Sequence, residues 1–263
     1  MSTPLDRASE ALRRHGLGRW APPAPWGNGL DHVVFRAGDL AVRVGRDVDV
    51  THESELLAVL AAADLGVAVP CPVLVEAELA VLAYPLLPGA PLLGQPPPQG
   101  SATTLARALR RLHRVNAATV AGLVPREIDP GVEWLADLHG PVEHLDLLHA
   151  TVPDPPEHPV LCHNDLGAEH LLADGGELTG ILDWSDAAIT DPAIDLSRLL
   201  RDFGPRFLDE VLDGYGDLGG DAMPRIYFYA RCAALEDLAH ARATGRAEYA
   251  VAARPSLTWL FPG

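Results

Sequence analysis

The 263-residue chain carries 36 acidic and 20 basic residues, a formal charge of −16, and 48% hydrophobic residues. Such a negative field repels nucleic acid and anionic membranes and attracts cations, so neither nucleic acid nor a membrane is expected as a partner. No apolar run approaches the roughly 20 residues that cross a bilayer, and the start "MSTPLDRASEALRRHG" lacks the apolar stretch of a signal peptide.

The first third of the sequence predicts a small region rich in strands. A polar helix over residues 2–15 is followed by a loop rich in Pro and Gly at 21–32. The stretch "HVVFRAGDLAVRVG" alternates around Gly-Asp, which indicates a β-hairpin. A helix capped by Thr51 comes next, and residues 72–87 fit a second pair of short strands.

The remainder of the sequence predicts mainly helices. The segment "LPGAPLLGQPPPQG" breaks regular structure and indicates a boundary. Helices are then predicted at 103–116, 132–149, 192–202, 205–214 and 221–243. We therefore expect an α+β fold with a β-rich N-terminal lobe, residues 1–87, and a larger helical C-terminal lobe, residues 88–263.

Two polar clusters follow apolar strands. "HNDLGAEH" (163–170) presents Asp165, and "ILDWSD" (181–186) presents Asp183. A turn at Gly175 and Gly176 would fold the intervening strands into a hairpin and bring His170 and Asp183 to one mouth. A lone loop Asp is usually a cap or a solvated charge. A base, an imidazole and a second carboxylate around one cleft instead suit phosphoryl transfer, where a metal neutralises phosphate charge and an Asp orients the attacking hydroxyl.

The order and spacing of these residues resemble the aminoglycoside phosphotransferase family, whose fold is similar to that of eukaryotic protein kinases. "VLCHNDLGAEHLL" and "LTGILDWSDAAITDPAIDLSRLL" carry the resemblance over about 40 residues. The N-terminal part fits more loosely, through "GNGLDHVVFRAGDLAVRV", "HESELLAVL" and "LAYPLLPGAPL". The resemblance implies a protein-kinase-like fold of two lobes.

The resemblance assigns roles to the catalytic loop. Asp165 matches the catalytic base that accepts the proton of the acceptor hydroxyl, and Asp183 matches the carboxylate that joins Mg²⁺ to the nucleotide phosphates. His170 stands where most members have a metal-binding Asn, although some aminoglycoside 2″-phosphotransferases and macrolide phosphotransferases also have His. His163 is expected to support the loop from behind.

In the small lobe, Arg43 stands where kinases carry a Lys that binds the α- and β-phosphates. Its guanidinium can bind the same oxygens. An edge-strand arginine in solvent is the alternative. Glu53 is the expected ion-pair partner of Arg43, and Glu55 competes for that role. The loop "WGNGLDH" (26–32) is expected either to fold over the phosphates or to be a plain turn.

The stretch "LAYPLLPG" resembles the inter-lobe hinge. The resemblance implies that backbone groups near Ala83, Tyr84 and Leu86 bond the purine edge, which leaves ATP and GTP both open. Further along, Asp191 is expected to cap a helix that starts at Pro192, and Asp195 is expected to brace the catalytic loop.

The function expected from these features is phosphate transfer to a small-molecule hydroxyl, with an aminoglycoside or related antibiotic as the most specific substrate. A macrolide, a primary metabolite of the choline, homoserine or ketosamine type, and a pseudokinase remain alternatives. Cationic acceptors would meet acidic residues of the helical lobe, such as Asp202, Asp209, Glu210, Glu236 and Asp237.

The three cysteines are far apart and odd in number. We therefore expect Cys71, Cys162 and Cys232 to be reduced core residues of a cytoplasmic protein. Separately, a monomer or weak dimer is expected.

Overall fold

The structure is a computed structural model that describes residues 2–17, 22–28, 32–46, 50–136 and 138–262. The chain divides into two compact units, Met1–Ala63 with Ala68–Pro88, and Asp64–Val67 with Gly89–Gly263. The boundary between Pro88 and Gly89 lies one residue beyond the predicted boundary between residues 87 and 88. In addition, the short segment Asp64–Val67 belongs to the second unit. Among the described helices, none combines the length and the hydrophobicity that a membrane crossing requires.

The first unit is built on an antiparallel sheet whose strands lie in the order β1-β2-β3-β5-β4. These strands are β1 Ala24–Asn28, β2 His32–Ala37, β3 Leu40–Gly45, β4 Leu74–Glu76 and β5 Val81–Pro85, and the helices are α1 Pro4–Arg14 and α2 Val50–Ala63. The predicted loop at 21–32 is wrong for β1, which pairs with β2. The strand tolerates Pro25 because it lies at the sheet edge, where a missing N–H costs least.

The central strand β3 is buried on both faces. Its Val42 and Val44 form one core with Ala11 and Leu12 of α1. Because alternate strand residues point to opposite faces, Arg43 lies on the face of the sheet away from α1. The predicted cap at Thr51 is wrong, since α2 already begins at the preceding residue.

The second unit consists mainly of helices. They are α3 Ser101–Leu112, α4 Ala117–Val120, α5 Pro130–Ala136, α6 Val142–Ala150, α7 Pro192–Phe203, α8 Pro205–Tyr215, α9 Ala222–Thr244, α10 Ala247–Ala253 and α11 Leu257–Leu260. Its strands are β6 Ala90–Pro91, β7 Val160–Cys162, β8 Leu171–Asp174, β9 Glu177–Ile181 and β10 Ala188–Thr190. β7 pairs with β10, and β8 lies between β6 and β9.

Two helix predictions need correction. The predicted helix 132–149 is broken into α5 and α6, and α6 starts immediately after Pro141. Proline disfavours helical backbone in the residue before it and cannot donate to a preceding carbonyl, so the helix cannot run through. The predicted helix 103–116 ends at Leu112, and the Asn116 side chain instead caps α4 by accepting the Ala118 N–H at 3.0 Å.

Helix α7 lies at the centre of the second unit and packs against α8, α9 and β7. Every residue from Ala193 to Arg201 is buried. Three of them are charged, namely Asp195, Arg198 and Arg201. Buried charges must be paired to be tolerated, so α7 directs its charged side chains into the polar loop that precedes β8.

Candidate active site

The loop 163–170 connects β7 to β8, and the β8–β9 hairpin holds its far end. β8 and β9 pair with Leu171 opposite Ile181, and the Leu182 N–H donates to the His170 carbonyl at 2.8 Å. The predicted hairpin is therefore confirmed. His170 directly precedes β8 and Asp183 lies two residues after β9, so both residues are at the end of the hairpin opposite its turn.

Asp165 lies between two basic side chains. His170 Nε2 is 3.1 Å from Asp165 Oδ2, and Arg198 Nη2 is 3.2 Å from Asp165 Oδ1. Both carboxylate oxygens thus have a charged or polar partner. Arg198 was not singled out from the sequence as a site residue.

The contacts of Asp165 with His170 and Arg198 shift the pKa values of Asp165 and His170 in opposite directions. Burial opposes ionisation of Asp165, but the Arg198 guanidinium and the His170 hydrogen bond outweigh it and hold the pKa of Asp165 well below its usual range. Burial likewise opposes the charged form of His170, but the hydrogen bond and charge of Asp165 raise the pKa of His170 to about 9. Asp165 is therefore ionised and His170 protonated at neutral pH.

A buried carboxylate holds the start of the loop. Asp195 Oδ2 accepts the His163 backbone N–H at 3.0 Å and lies 3.0 Å from His113 Nε2, while Asp195 Oδ1 accepts the Asn164 N–H at 2.8 Å. Asp191 caps α7 by accepting the Ala193 N–H at 2.9 Å. The predicted bracing role of Asp195 and the predicted cap are both confirmed.

His163 lies behind the loop, fully buried and 4.6 Å, ring centre to ring centre, from Trp184. Its Nδ1 accepts the Asp165 N–H at 3.2 Å, and its Nε2 lies 2.8 Å from the Leu182 carbonyl. This pattern requires a neutral ring with the proton on Nε2. Burial, together with the charge of His170, lowers the pKa of His163.

Asp183 has the backbone strain often found at functional positions. Its φ is +56°, in the left-handed region, and its Oδ1 accepts the Ser185 hydroxyl at 2.7 Å. A carboxylate is the donor that Mg²⁺ prefers, and Mg²⁺ in phosphoryl-transfer sites takes one or two carboxylates with waters and phosphate oxygens. Asp183 therefore fits the metal that the resemblance implies. His170 fits only after it loses one of its two ring protons, because a protonated imidazole has no lone pair for a metal.

A pocket of about 240 Å³ adjoins the loop. Among the described residues its polar and aromatic lining consists of Glu127, Glu133, Trp134, Asn164, Arg198 and Glu236. Asn164 adjoins Asp165 in the chain, and Arg198 contacts it. A concave site lined by carboxylates and one aromatic ring, beside Asp165, is suited to a small polar molecule.

A second cation on α7 ties the rest of the loop to the helices. Arg201 lies within 3.6 Å of Glu169, 2.7 Å of Asp202 and 3.2 Å of Asp237. Asp202 also accepts the Ala168 N–H at 2.7 Å. Asp202 was expected among the acids that meet a cationic acceptor. That expectation is wrong, because its side chain is buried and bonded to protein groups.

In the first unit, Arg43 and Glu53 form a buried ion pair. Glu53, rather than Glu55, is the partner. Arg43 Nη2 also lies 2.9 Å from His32 Nδ1, a contact that the sequence did not reveal. The alternative of an exposed edge arginine is wrong, since the Arg43 side chain is only 5% exposed. Whether this pair binds phosphates stays a prediction.

The predicted hinge contacts are partly used by the sheet itself. The Ala83 carbonyl accepts the Val73 N–H at 2.8 Å, and the Leu86 N–H donates to the Asp39 carbonyl at 2.8 Å. The Leu86 N–H is therefore already used, so a purine contact of Leu86 requires its carbonyl or a rearrangement, whereas the Ala83 carbonyl has a second lone pair and its predicted contact stays a prediction. The predicted contact of Tyr84 stays a prediction. Of the loop 26–32, residues 29–31 lie outside the described residues.

Two solved structures are similar to this chain over more than nine tenths of its length. Macrolide 2′-phosphotransferase MphH from Brachybacterium faecium is 27% identical with a TM-score of 0.72, covering 98% of this chain and 99% of that chain. The GDP and kanamycin complex of APH(2")-IIia is 20% identical with a TM-score of 0.73, covering 92% of each chain. These matches confirm the predicted α+β, protein-kinase-like fold.

Among curated proteins, the uncharacterized protein YcbJ of Bacillus subtilis (strain 168) is 29% identical over 168 residues, which are 53% of this chain and 55% of that protein. The chain thus matches about half the length of this relative. The family model described as "Phosphotransferase enzyme family" matches residues 24–229, more than three quarters of the sequence. The resemblance inferred from the catalytic loop is therefore confirmed, and the chain belongs to the phosphotransferase enzyme family.

Proposed function

We propose that this chain transfers the terminal phosphate of a purine nucleoside triphosphate, ATP or GTP, to a hydroxyl of a small molecule. The observation that supports this most directly is Asp165, an ionised carboxylate held from two sides next to a polar pocket. Phosphoryl transfer passes through a loose transition state, so positioning and charge stabilisation supply most of the catalysis.

In this proposal Asp165 orients the acceptor hydroxyl. A carboxylate oxygen offers more than one lone pair, so Asp165 can accept the hydroxyl while it keeps His170 and Arg198. Its lowered pKa makes it a weak base. We therefore expect Asp165 to fix the direction of the hydroxyl and to take its proton late, as the bond to phosphorus forms.

Mg²⁺ bound with the nucleotide supplies the positive charge that neutralises the phosphate oxygens. Asp183 is the residue that would hold the metal, joined by His170 in its neutral form. Arg43, oriented by Glu53 and His32, would bind the nucleotide phosphates. Arg43 belongs to the first unit and Asp183 to the second, so each is proposed on the contacts within its own unit.

The acceptor that we propose is a cationic antibiotic of the aminoglycoside type or a related one. Three carboxylates of the pocket support this choice, namely Glu127, Glu133 and Glu236. The similar structures include one with kanamycin and a macrolide kinase. A macrolide or a metabolite such as choline, homoserine or a ketosamine remains the second candidate. Since only a cationic acceptor would respond to the −16 field, its KM should rise with salt.

The test is a transfer screen with the full chain. Aminoglycosides, macrolides and the three kinds of metabolite are incubated with ATP or GTP and Mg²⁺ or Mn²⁺, and mass spectrometry detects a phosphorylated product. Asp165→Asn should lower kcat at least about 100-fold and leave nucleotide affinity nearly unchanged. Asp174→Asn, an exposed change in the neighbouring hairpin, is the matched control and should behave as wild type.

Two results would contradict the proposal. Near-normal turnover in Asp165→Asn would remove this residue from the chemistry. Tight nucleotide binding with no transfer to any acceptor would instead favour a pseudokinase.

A further inference from the structure

The pocket beside Asp165 already contains a cation. Arg198 is one of its lining residues, and the Arg198 side chain is only 9% exposed. Its Nη2 lies 3.2 Å from Asp165 Oδ1 and 3.6 Å from Glu236 Oε2. The same guanidinium therefore neutralises the catalytic carboxylate and one of the three pocket glutamates.

The guanidinium also covers the aromatic wall of the pocket. Arg198 Cζ lies over the Trp134 ring, 4.9 Å from its centre. Trp134 in addition stacks on Tyr229, with ring centres 5.9 Å apart and planes at 25°. An aromatic ring binds a ligand cation through its face. Trp134 already has both a stacking partner and a cation, so a quaternary ammonium would have to compete with Arg198 for it.

The other two glutamates have a different kind of partner. Glu127 Oε1 accepts the Asn164 side-chain N–H at 2.9 Å, and Glu133 Oε1 accepts the Asp129 backbone N–H at 3.3 Å. Both partners are neutral, and among the described residues no cationic side chain lies within ion-pair distance of either carboxylate. These two carboxylates can therefore receive a positive group of a ligand.

We propose that Arg198 is a specificity-determining residue that acts as the resident cation of the acceptor pocket. It excludes a positive group from the Asp165–Glu236–Trp134 corner and leaves Glu127 and Glu133 to bind any ammonium groups of the acceptor. The part of the acceptor that carries the reacting hydroxyl must then be uncharged. The inference rests on the proposed function only for the identity of the pocket as the acceptor site.

A matched pair of small alcohols tests this without turnover. Choline carries a quaternary ammonium, and 3,3-dimethylbutan-1-ol is its neutral isostere. Both are titrated into the nucleotide-free full chain, and ligand-observed NMR gives each Kd. Choline can also bind near Glu127 and Glu133 in both proteins, so the quantity compared is the change in its preference over the neutral alcohol when Arg198 is replaced. Arg198→Met, which is uncharged and of similar length, should bind choline about tenfold more tightly and leave the neutral alcohol unchanged.

Arg206→Met is the matched control, because it removes the same charge from a side chain that is 95% exposed. It should leave both Kd values unchanged. If Arg198→Met does not fold, as judged by its melting curve, Arg198→Gln replaces it. The glutamine is also uncharged but keeps an N–H donor for the carboxylates that Arg198 contacts, so a gain in choline binding is again expected.

Two outcomes would overturn the inference. One is a folded Arg198→Met, or its Gln substitute, whose preference for choline over the neutral alcohol is no greater than that of the wild type. The other is an equal gain in choline binding by Arg206→Met. Neither result depends on phosphate transfer, so a failure of the proposed function in the acceptor screen is a separate result.

Discussion

Asp195 accepts the backbone N–H of Asn164 at 2.8 Å, one residue before Asp165, the proposed catalytic carboxylate. The acceptor lies on α7 and the donor on the loop after β7, so a bond between distant segments fixes where Asp165 emerges. Burial opposes the charge of Asp195, but the hydrogen bond from His113 outweighs it and lowers the pKa of Asp195. The position of Asp165 therefore depends on a carboxylate that stays ionised inside the protein.

Asp195→Asn should uncouple the loop from α7. The amide keeps one oxygen but turns an N–H group toward donors, so a buried donor loses its acceptor. We expect the free energy of unfolding to fall by about 2–4 kcal/mol, measured by urea titration. Turnover should fall at least about tenfold, because a misplaced base loses its orientation. Asp209→Asn, an exposed change on α8, should alter stability by less than about 0.5 kcal/mol. Equal stability of the two variants would contradict the bracing role.

Asn164 itself has a φ of +70°, a left-handed conformation that favours glycine and tolerates asparagine. Asn164→Gly and Asn164→Ala both lose the hydrogen bond to Glu127, and only the alanine adds strain from its Cβ. We expect the alanine variant to be less stable than the glycine variant by about 1 kcal/mol in the same urea titration. If alanine were as stable as glycine, the left-handed backbone would not be a constraint here.

The parts of the fold that local signals determine could be predicted. Helices α7, α8 and α9 start and end within one residue of their predicted bounds, because a cap, a proline at the first turn or a terminal glycine marks them. Edge strand β1 could not be predicted from its own residues, since Pro25 and Gly27 favour a loop and only pairing with β2 makes a strand.

The contrast between local signals and long-range packing also explains which site residues could be predicted from the sequence and which could not. Asp165, His170 and Asp183 stand in a motif of short sequence spacing. The contact of Arg198 with Asp165 spans 33 positions and depends on how α7 packs. Cys71 was expected in the core and is exposed, whereas Cys162 and Cys232 are buried as expected. Neither long-range packing nor exposure can be read from these isolated positions.

Asp237 predicts a pH dependence of stability. Burial, with Glu169 and Asp202 nearby, outweighs the attraction of Arg201 and raises the pKa of Asp237 to about 7. The folded state therefore binds more protons than the unfolded state between about pH 4 and pH 7, and stability contributed by this group falls as pH rises through that range. Asp237→Asn cannot ionise, so it should become more stable relative to wild type by about 1–3 kcal/mol between about pH 5 and pH 8.

Urea titrations of both proteins at several pH values measure this difference. Asp213→Asn, an exposed change on α8, serves as the control and should track wild type at every pH. Parallel curves for Asp237→Asn and wild type would show that Asp237 is ionised in the folded protein at neutral pH.

His170 predicts a proton-coupled metal site. Its Nε2 lies 3.1 Å from Asp165 Oδ2, and Asp165 raises the pKa of His170 to about 9 despite the burial of the ring. A protonated imidazole has no lone pair to give to a metal, so metal binding at His170 must release a proton. Raising the pH removes the competing proton. Metal affinity should therefore rise between about pH 6.5 and pH 9 and level off above that range.

Mn²⁺ accepts imidazole more readily than Mg²⁺ does, which makes it the better probe. The Mn²⁺ affinity of the complex with a non-hydrolysable nucleotide is measured by electron paramagnetic resonance across that pH range. His170→Asn keeps an oxygen donor that does not titrate, so its affinity should vary with pH only as far as the nucleotide phosphates titrate. His170→Leu offers no donor and should bind the metal more weakly at every pH. The exposed change His158→Asn should reproduce the wild-type slope. Identical pH slopes for wild type and His170→Asn, with no loss in His170→Leu, would show that His170 only holds Asp165 in place.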